Sequence, residues 1–328
     1  MNPSARSAVA PTPARAALAY GAAGLTVAAG IALVFTGEGA EHATILRLRL
    51  ARAFAAVLAG ASLAVGGALV QGLFRNPLAS PSILGTTAGA SLGGQVALLL
   101  AELVGLSLRP ELVVPIGCLA GALASLLVLL LLLRRTEDLL TLLLTGFLLN
   151  SLFLAVGSLI MSFAQEQWQL GRAVVNFALG TLSGVGTPQL RFAAPLVLVA
   201  LAMAVSWSRV LDLLLTGERE AKSLGAPVES ARFWVVVWTS VLVAAAVSLA
   251  GSLAFVGLVV PHVLRPFVGV RHGRLIPACA IAGAAFVLLC DGLARALPSQ
   301  GEVPLGVVSA IVGAPTFLVL LLRERARP

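Results

Sequence analysis

Charge is what this sequence has least of. Only 11% of its 328 residues are Asp, Glu, Lys or Arg, against about a quarter in an ordinary soluble domain. An ionised side chain at mid-bilayer costs several kcal/mol, so a chain embedded in lipid has to be poor in charge. Lysine occurs once, as Lys222, and no Gly-x-x-x-x-Gly-Lys-[Ser/Thr] loop surrounds it, which excludes a nucleotide-binding P-loop in this chain. There is no His-Glu-x-x-His sequence, and His42, His262 and His272 are far apart. Cysteine is scarce too. Cys118, Cys279 and Cys290 lie singly in apolar runs, a pattern that excludes a disulfide framework or a CxxC metal site and fits small packing residues. The net charge of +8 comes almost wholly from scattered arginines. No basic stripe of the kind that binds nucleic acid forms, and placement at membrane boundaries explains them.

Long apolar runs are what is present. Hydrophobic residues make up 59% of the chain, and a helix needs about 20 of them in succession to cross a bilayer. Charge-free stretches at 16–37, 53–74, 76–101, 112–133, 139–165, 192–208, 233–264, 275–290 and 303–322 are candidate spans. The first is longer than a signal-peptide core and is read as a retained span. Stretch 173–190 holds Gly180, Gly184, Gly186 and Pro188 and reads as a short helix and loop at the membrane surface. Stretch 233–264 is too long for one span. As a single helix it would reach roughly 48 Å, against about 30 Å of hydrocarbon. A full helix and a shorter return helix, turning near Ala250-Gly251-Ser252, fit better.

That division gives ten spans, and the positive-inside rule agrees. With the N-terminus inside, ten spans place fifteen of the 22 basic residues in the cytoplasm and seven outside. Nine spans would place ten inside and twelve outside. The expected organisation is therefore all-α and polytopic: a cytoplasmic tail over 1–15, then one transmembrane domain over 16–328, with both termini cytoplasmic. Asn76-Pro77-Leu78-Ala79-Ser80-Pro81 between spans two and three, and Pro261-His262 with Pro266 in span eight, look like interrupted helices beside a pathway. Ala51-Arg52-Ala53-Phe54 opening span two echoes Ala231-Arg232-Phe233 opening span seven, as in an inverted repeat.

The spans carry no ionisable group that would couple transport to protons or sodium. Asp291, at the outer end of span nine, is expected to pair with Arg295 one helical turn on. Energy would have to come from a partner, and residues 208–232 look built to meet one. Thr216-Gly217 can start a short helix, Glu218 and Glu220 favour its N-terminus, Glu218 and Lys222 form an i,i+4 pair, and Gly225 with Pro227 ends it. So short a helix is marginal alone, so something should pack on it.

These pieces resemble the permease family of bacterial iron-siderophore, haem and vitamin B12 ABC importers, whose membrane subunits include the FecCD and BtuC types. The resemblance runs from Ile45 onward. It is carried by Arg49-Leu50-Ala51-Arg52, by Gly67 through Ala79, by Ile83-Leu84-Gly85 with Ala88-Gly89-Ala90, and by Leu214-Leu215-Thr216-Gly217-Glu218 with Ala221 and Ser223-Leu224-Gly225. Phe255 through His262, and Val303-Pro304-Leu305-Gly306 with Gly313-Ala314-Pro315, complete it. It implies the type II importer permease fold, a homodimer with a second copy of this chain, two cytoplasmic ATPase subunits and an extracytoplasmic binding protein. No cofactor is implied for this chain, since ATP and Mg belong to the ATPase. Asn76 and Leu78 match a cytoplasmic gate. Gly217, Glu218, Ala221, Leu224 and Gly225 match the ATPase-coupling segment. Arg49, Arg52 and Arg295 match positions that receive acidic residues of the binding protein, and headgroup anchoring is the plainer reading of the first two. Ala51 departs from a usual Pro, Ser252-Leu253 from a Gly-Pro, and Thr187 from a Trp.

The expected function is import of a metal chelate, first an iron-siderophore, across the cytoplasmic membrane by alternating access, with no covalent chemistry. A haem or cobalamin importer of the same family, an ion-coupled secondary carrier, and a membrane scaffold or enzyme are the alternatives.

Overall fold

The structure, a computed structural model, describes residues 13–32, 43–104, 110–133, 139–297 and 302–325. Among them there is no strand. The helices are α1 (Pro13–Ala32), α2 (Ala43–Leu73), α3 (Thr86–Leu103), α4 (Pro110–Leu133), α5 (Leu139–Ala164), α6 (Trp168–Leu179) and α7 (Thr187–Ser206). They continue as α8 (Ser208–Leu214), α9 (Glu218–Ser223), α10 (Val228–Ala250), α11 (Val256–Val268), α12 (His272–Ala296) and α13 (Leu305–Arg325).

The ten expected spans correspond in order to α1 to α5, α7 and α10 to α13. By length and apolarity alone seven described helices suffice to cross a membrane, namely α1, α2, α4, α5, α7, α10 and α12. The shortest of the other three is α11, whose 13 residues reach only about 20 Å at 1.5 Å each. It is the short return helix expected after the turn. That turn falls where expected: α10 ends at Ala250, and Gly251 takes a left-handed φ of 66°. A Cβ on Gly251 would strike the Phe177 carbonyl of α6, so glycine is needed there twice over. The stretch expected at the membrane surface forms α6 and the loop to Gly186.

Helix starts differ from those read off the charges. α2 begins at Ala43 rather than near residue 53, so Arg49 and Arg52 lie inside it and not at its opening. α10 likewise begins at Val228, and α1 at Pro13, inside the expected tail. The rest of that tail, residues 1–12, lies outside the described residues. A gap between charges marks where a charge stops, whereas a helix continues wherever its backbone bonds are kept and its charges are compensated. Ala51 helps: α2 keeps there the backbone hydrogen bond that a proline would remove.

α2 is the most enclosed of the candidate spans and packs on α12, α10 and α11. Its core face is largely alanine and glycine, with Ala55, Ala56, Ala59 and Ala64 fully buried. Small residues let backbones approach in a membrane, where packing rather than hydrophobicity holds helices together. At Gly60 of α2 and Gly283 of α12 a Cβ on either would overlap the other's carbonyl.

Candidate functional site

All of the candidate site residues fall among the described residues, in three groups at two ends of the bundle. At one end, Arg52 of α2 reaches Asp291 of α12. Its Nε and Nη2 donate to Asp291 Oδ1 at 2.9 and 2.8 Å, and its Nη1 donates to Glu302 Oε1 at 2.7 Å. Arg295 closes on the other oxygen, Nη2 to Asp291 Oδ2, at 3.1 Å. The Ser183 hydroxyl donates to Glu302 Oε2. The Arg52 hydrogen bond holds the Glu302 carboxyl below the usual carboxylate range, against the opposing effect of partial burial. Asp291 is 3% exposed, and each of its oxygens is engaged by a guanidinium group. Arg49 lies one turn before Arg52 on α2 and is partly exposed.

The expected Asp291–Arg295 pair is present. The partnership of Arg52 with Asp291 and Glu302 was missed, and it changes how Arg52 reads. Its side chain is 17% exposed, against 47% for Arg295, and it is already engaged within the chain. One signal pointed to it: an isolated acid inside an apolar run needs a cation from somewhere.

At the opposite end, α2 gives way to the gate-like segment. Phe74 is buried, and Arg75 takes a left-handed φ of 48°. Asn76 Oδ1 then accepts the Leu78 N–H at 2.9 Å, an Asx turn that fixes the chain reversal. Leu78 is 43% exposed. A 3-10 turn, Pro81–Leu84, leads into α3. Just before this segment, Gln71 Oε1 accepts from Arg265 Nη2 at 2.7 Å, and Gln71 Nε2 donates to Leu258 O at 3.3 Å, pinning α2 to α11. Beyond Leu78 opens a cavity of about 490 Å³. Ser80, Ser82, Ser91, Gln95, Asn150 and Ser158 are among its polar residues, and among the described residues no charged side chain lines it.

The third group adjoins the second. α8 and α9 are joined by a turn in which Gly217 has a φ of 128°, a conformation natural to glycine. α9 forms where the charges suggested. Glu218 Oε1 lies 3.4 Å from Lys222 Nζ, and Glu218 Oε2 accepts from Arg232 of α10 at 2.8 Å. Lys222 also pairs with Glu229 at 2.6 Å, which raises the Lys222 ammonium pKa. Ala221 is fully buried, Gly225 closes the helix at φ 79°, and Leu224 stands 65% exposed. Arg75 lines the same shallow depression as Gly217, Glu218 and Lys222, so the gate-like and coupling-like segments are neighbours in space.

The family model described as the FecCD transport family matches residues 14–323. The Fe(3+) dicitrate transport system permease protein FecD of Escherichia coli K12 is 39% identical over 292 residues, covering 88% of each chain. The cobalamin import system permease protein BtuC of Halobacterium salinarum is 36% identical over 306 residues, covering 92% of this chain and 80% of that one. Among solved structures, an inward-facing conformation of a protein described as a metal-chelate type ABC transporter superposes with a TM-score of 0.82. The two are 30% identical, with 93% of this chain and 98% of the other covered.

Proposed function

The chain belongs to the FecCD transport family, the permeases of ABC importers, and on that premise we propose that it carries a metal chelate, first an iron-siderophore, across the cytoplasmic membrane. It works as a homodimer, with both termini and the α8–α9 segment facing the cytoplasm. Two ATPase subunits dock on α9, and a loaded extracytoplasmic binding protein docks at the Arg49, Arg52 and Arg295 end. ATP binding and hydrolysis on the partner reshape the Asn76–Leu78 gate, and the cargo passes by alternating access.

The observation that carries this reading is the exposed Leu224 that caps a helix of six residues. Such a helix is too short to be stable alone and is held from behind by Ala221 and Arg232, and the residue that ends it turns a large apolar side chain outward. The uncharged cavity suits a bulky neutral or screened complex held weakly, with capture left to the binding protein. The named relatives handle iron dicitrate and cobalamin, both metal complexes, which supports the cargo class. Uptake of radiolabelled ferric siderophore, haem and cobalamin by vesicles holding the assembled complex tests the choice. Ferric siderophore import at the highest rate is expected. A preference for haem or cobalamin would overturn the siderophore assignment and leave the permease role standing.

A further inference from the structure

His272 opens α12 and is 1% exposed, wedged between α8 and α2. Asp212 of α8 grips it twice. Its Oδ1 accepts the His272 backbone N–H at 2.6 Å and lies 2.8 Å from ring Nδ1. A carboxylate only accepts, so Nδ1 donates to it, and Nε2 is the ring nitrogen on the far side. That nitrogen is buried with no hydrogen-bond partner among the described residues. It faces Gly72 of α2, where a Cβ would overlap it. An apolar side chain would fill this gap without orphaning a polar atom, so packing alone does not account for the imidazole. What the imidazole adds is a directional tie to α8 on one side and a rigid planar contact with α2 on the other.

Both ends of this contact lead to the groups described above. Asp212 precedes Gly217 by five residues, and Gly72 precedes Asn76 by four. The residue before Gly72 on α2, Gln71, is held by Arg265. We propose that His272 is a positioning residue that carries displacement of the α8–α9 segment to the end of α2, and so to Asn76 and Leu78. The hydrogen bonds to Asp212 transmit a pull, and the ring against Gly72 transmits a push. The inference rests on the reading of α9 as the ATPase-docking helix and of Asn76–Leu78 as the gate.

The test uses the complete complex with its ATPase and binding protein in proteoliposomes, reading assembly, ATP hydrolysis and chelate imported per ATP. His272→Ala should assemble and hydrolyse ATP while importing at least tenfold less per ATP. His272→Asn keeps an N–H for Asp212 but withdraws the ring from Gly72, and should lose severalfold. Adding Gly72→Ala to His272→Asn puts a methyl into the vacated space and should recover much of that loss, although Gly72→Ala alone is harmful. A purely structural histidine would lower assembly or thermal stability and leave import per ATP unchanged. That result in His272→Ala would overturn the proposal. Should His272→Ala fail to assemble, the His272→Asn pair decides, and a double variant no better than the sum of its singles would overturn it. Absence of ATP-driven import by the unaltered complex would instead refute the importer reading beneath it.

Discussion

Asp291→Ala removes the carboxylate that Arg52 and Arg295 share. Removing one partner of a buried ion pair costs about 3–5 kcal/mol. Arg52 keeps Glu302, and Arg295 is 47% exposed, so the lower end applies, about 3 kcal/mol. That is roughly a hundredfold in the ratio of folded to unfolded protein. Glu302→Gln is the control, because the Glu302 side chain is 44% exposed and surface pairs contribute under about 1 kcal/mol. Titration of the purified protein from mild detergent into SDS, followed by circular dichroism, gives both midpoints. Asp291→Ala should unfold well before Glu302→Gln. Equal midpoints would refute the view that Asp291 is the hub joining α2 to α12.

Three further outcomes are expected. Leu224→Asp should leave expression and folding nearly unchanged, since the side chain is 65% exposed in the subunit, but weaken detergent pull-down with the ATPase by tenfold or more; unaltered association would remove α9 from the interface. Cysteine labelling at Ser230 and at Gln300, the latter outside the described residues, should report opposite sides of the membrane, and labelling from one side alone would end the ten-span arrangement. Arg49→Glu with Arg295→Glu should reduce binding-protein affinity and its salt dependence while ATP hydrolysis by the assembled complex persists; intact affinity would return both arginines to a structural role.

The order of helices was legible because apolar runs and the charges between them are local properties. Gly251 and the coupling-like helix could be read for the same reason: a turn residue, acids at a helix start and an i,i+4 pair all act within a few residues. Pairings across the fold were not. Arg52 meets Asp291 over a separation of 239 residues, and Asp212 meets His272 over 60. Only the close approach of α2 to α12, set by Gly60 and Gly283, brings the first pair together. The same pair explains the misplaced start of α2, since a charge compensated from another helix no longer marks a membrane edge. His272, dismissed in the sequence for want of neighbours, has them in space.

A pathway driven by a partner's ATP should need no ion gradient. Purified chain, ATPase and binding protein should be reconstituted in vesicles free of ion gradients, with ferric siderophore supplied on the binding-protein side. Accumulation that requires ATP, the ATPase subunit and the binding protein together, and that persists when protonophore and sodium ionophore are added, is the predicted result. Accumulation by the chain alone, driven by an imposed proton or sodium gradient and indifferent to ATP, would contradict it.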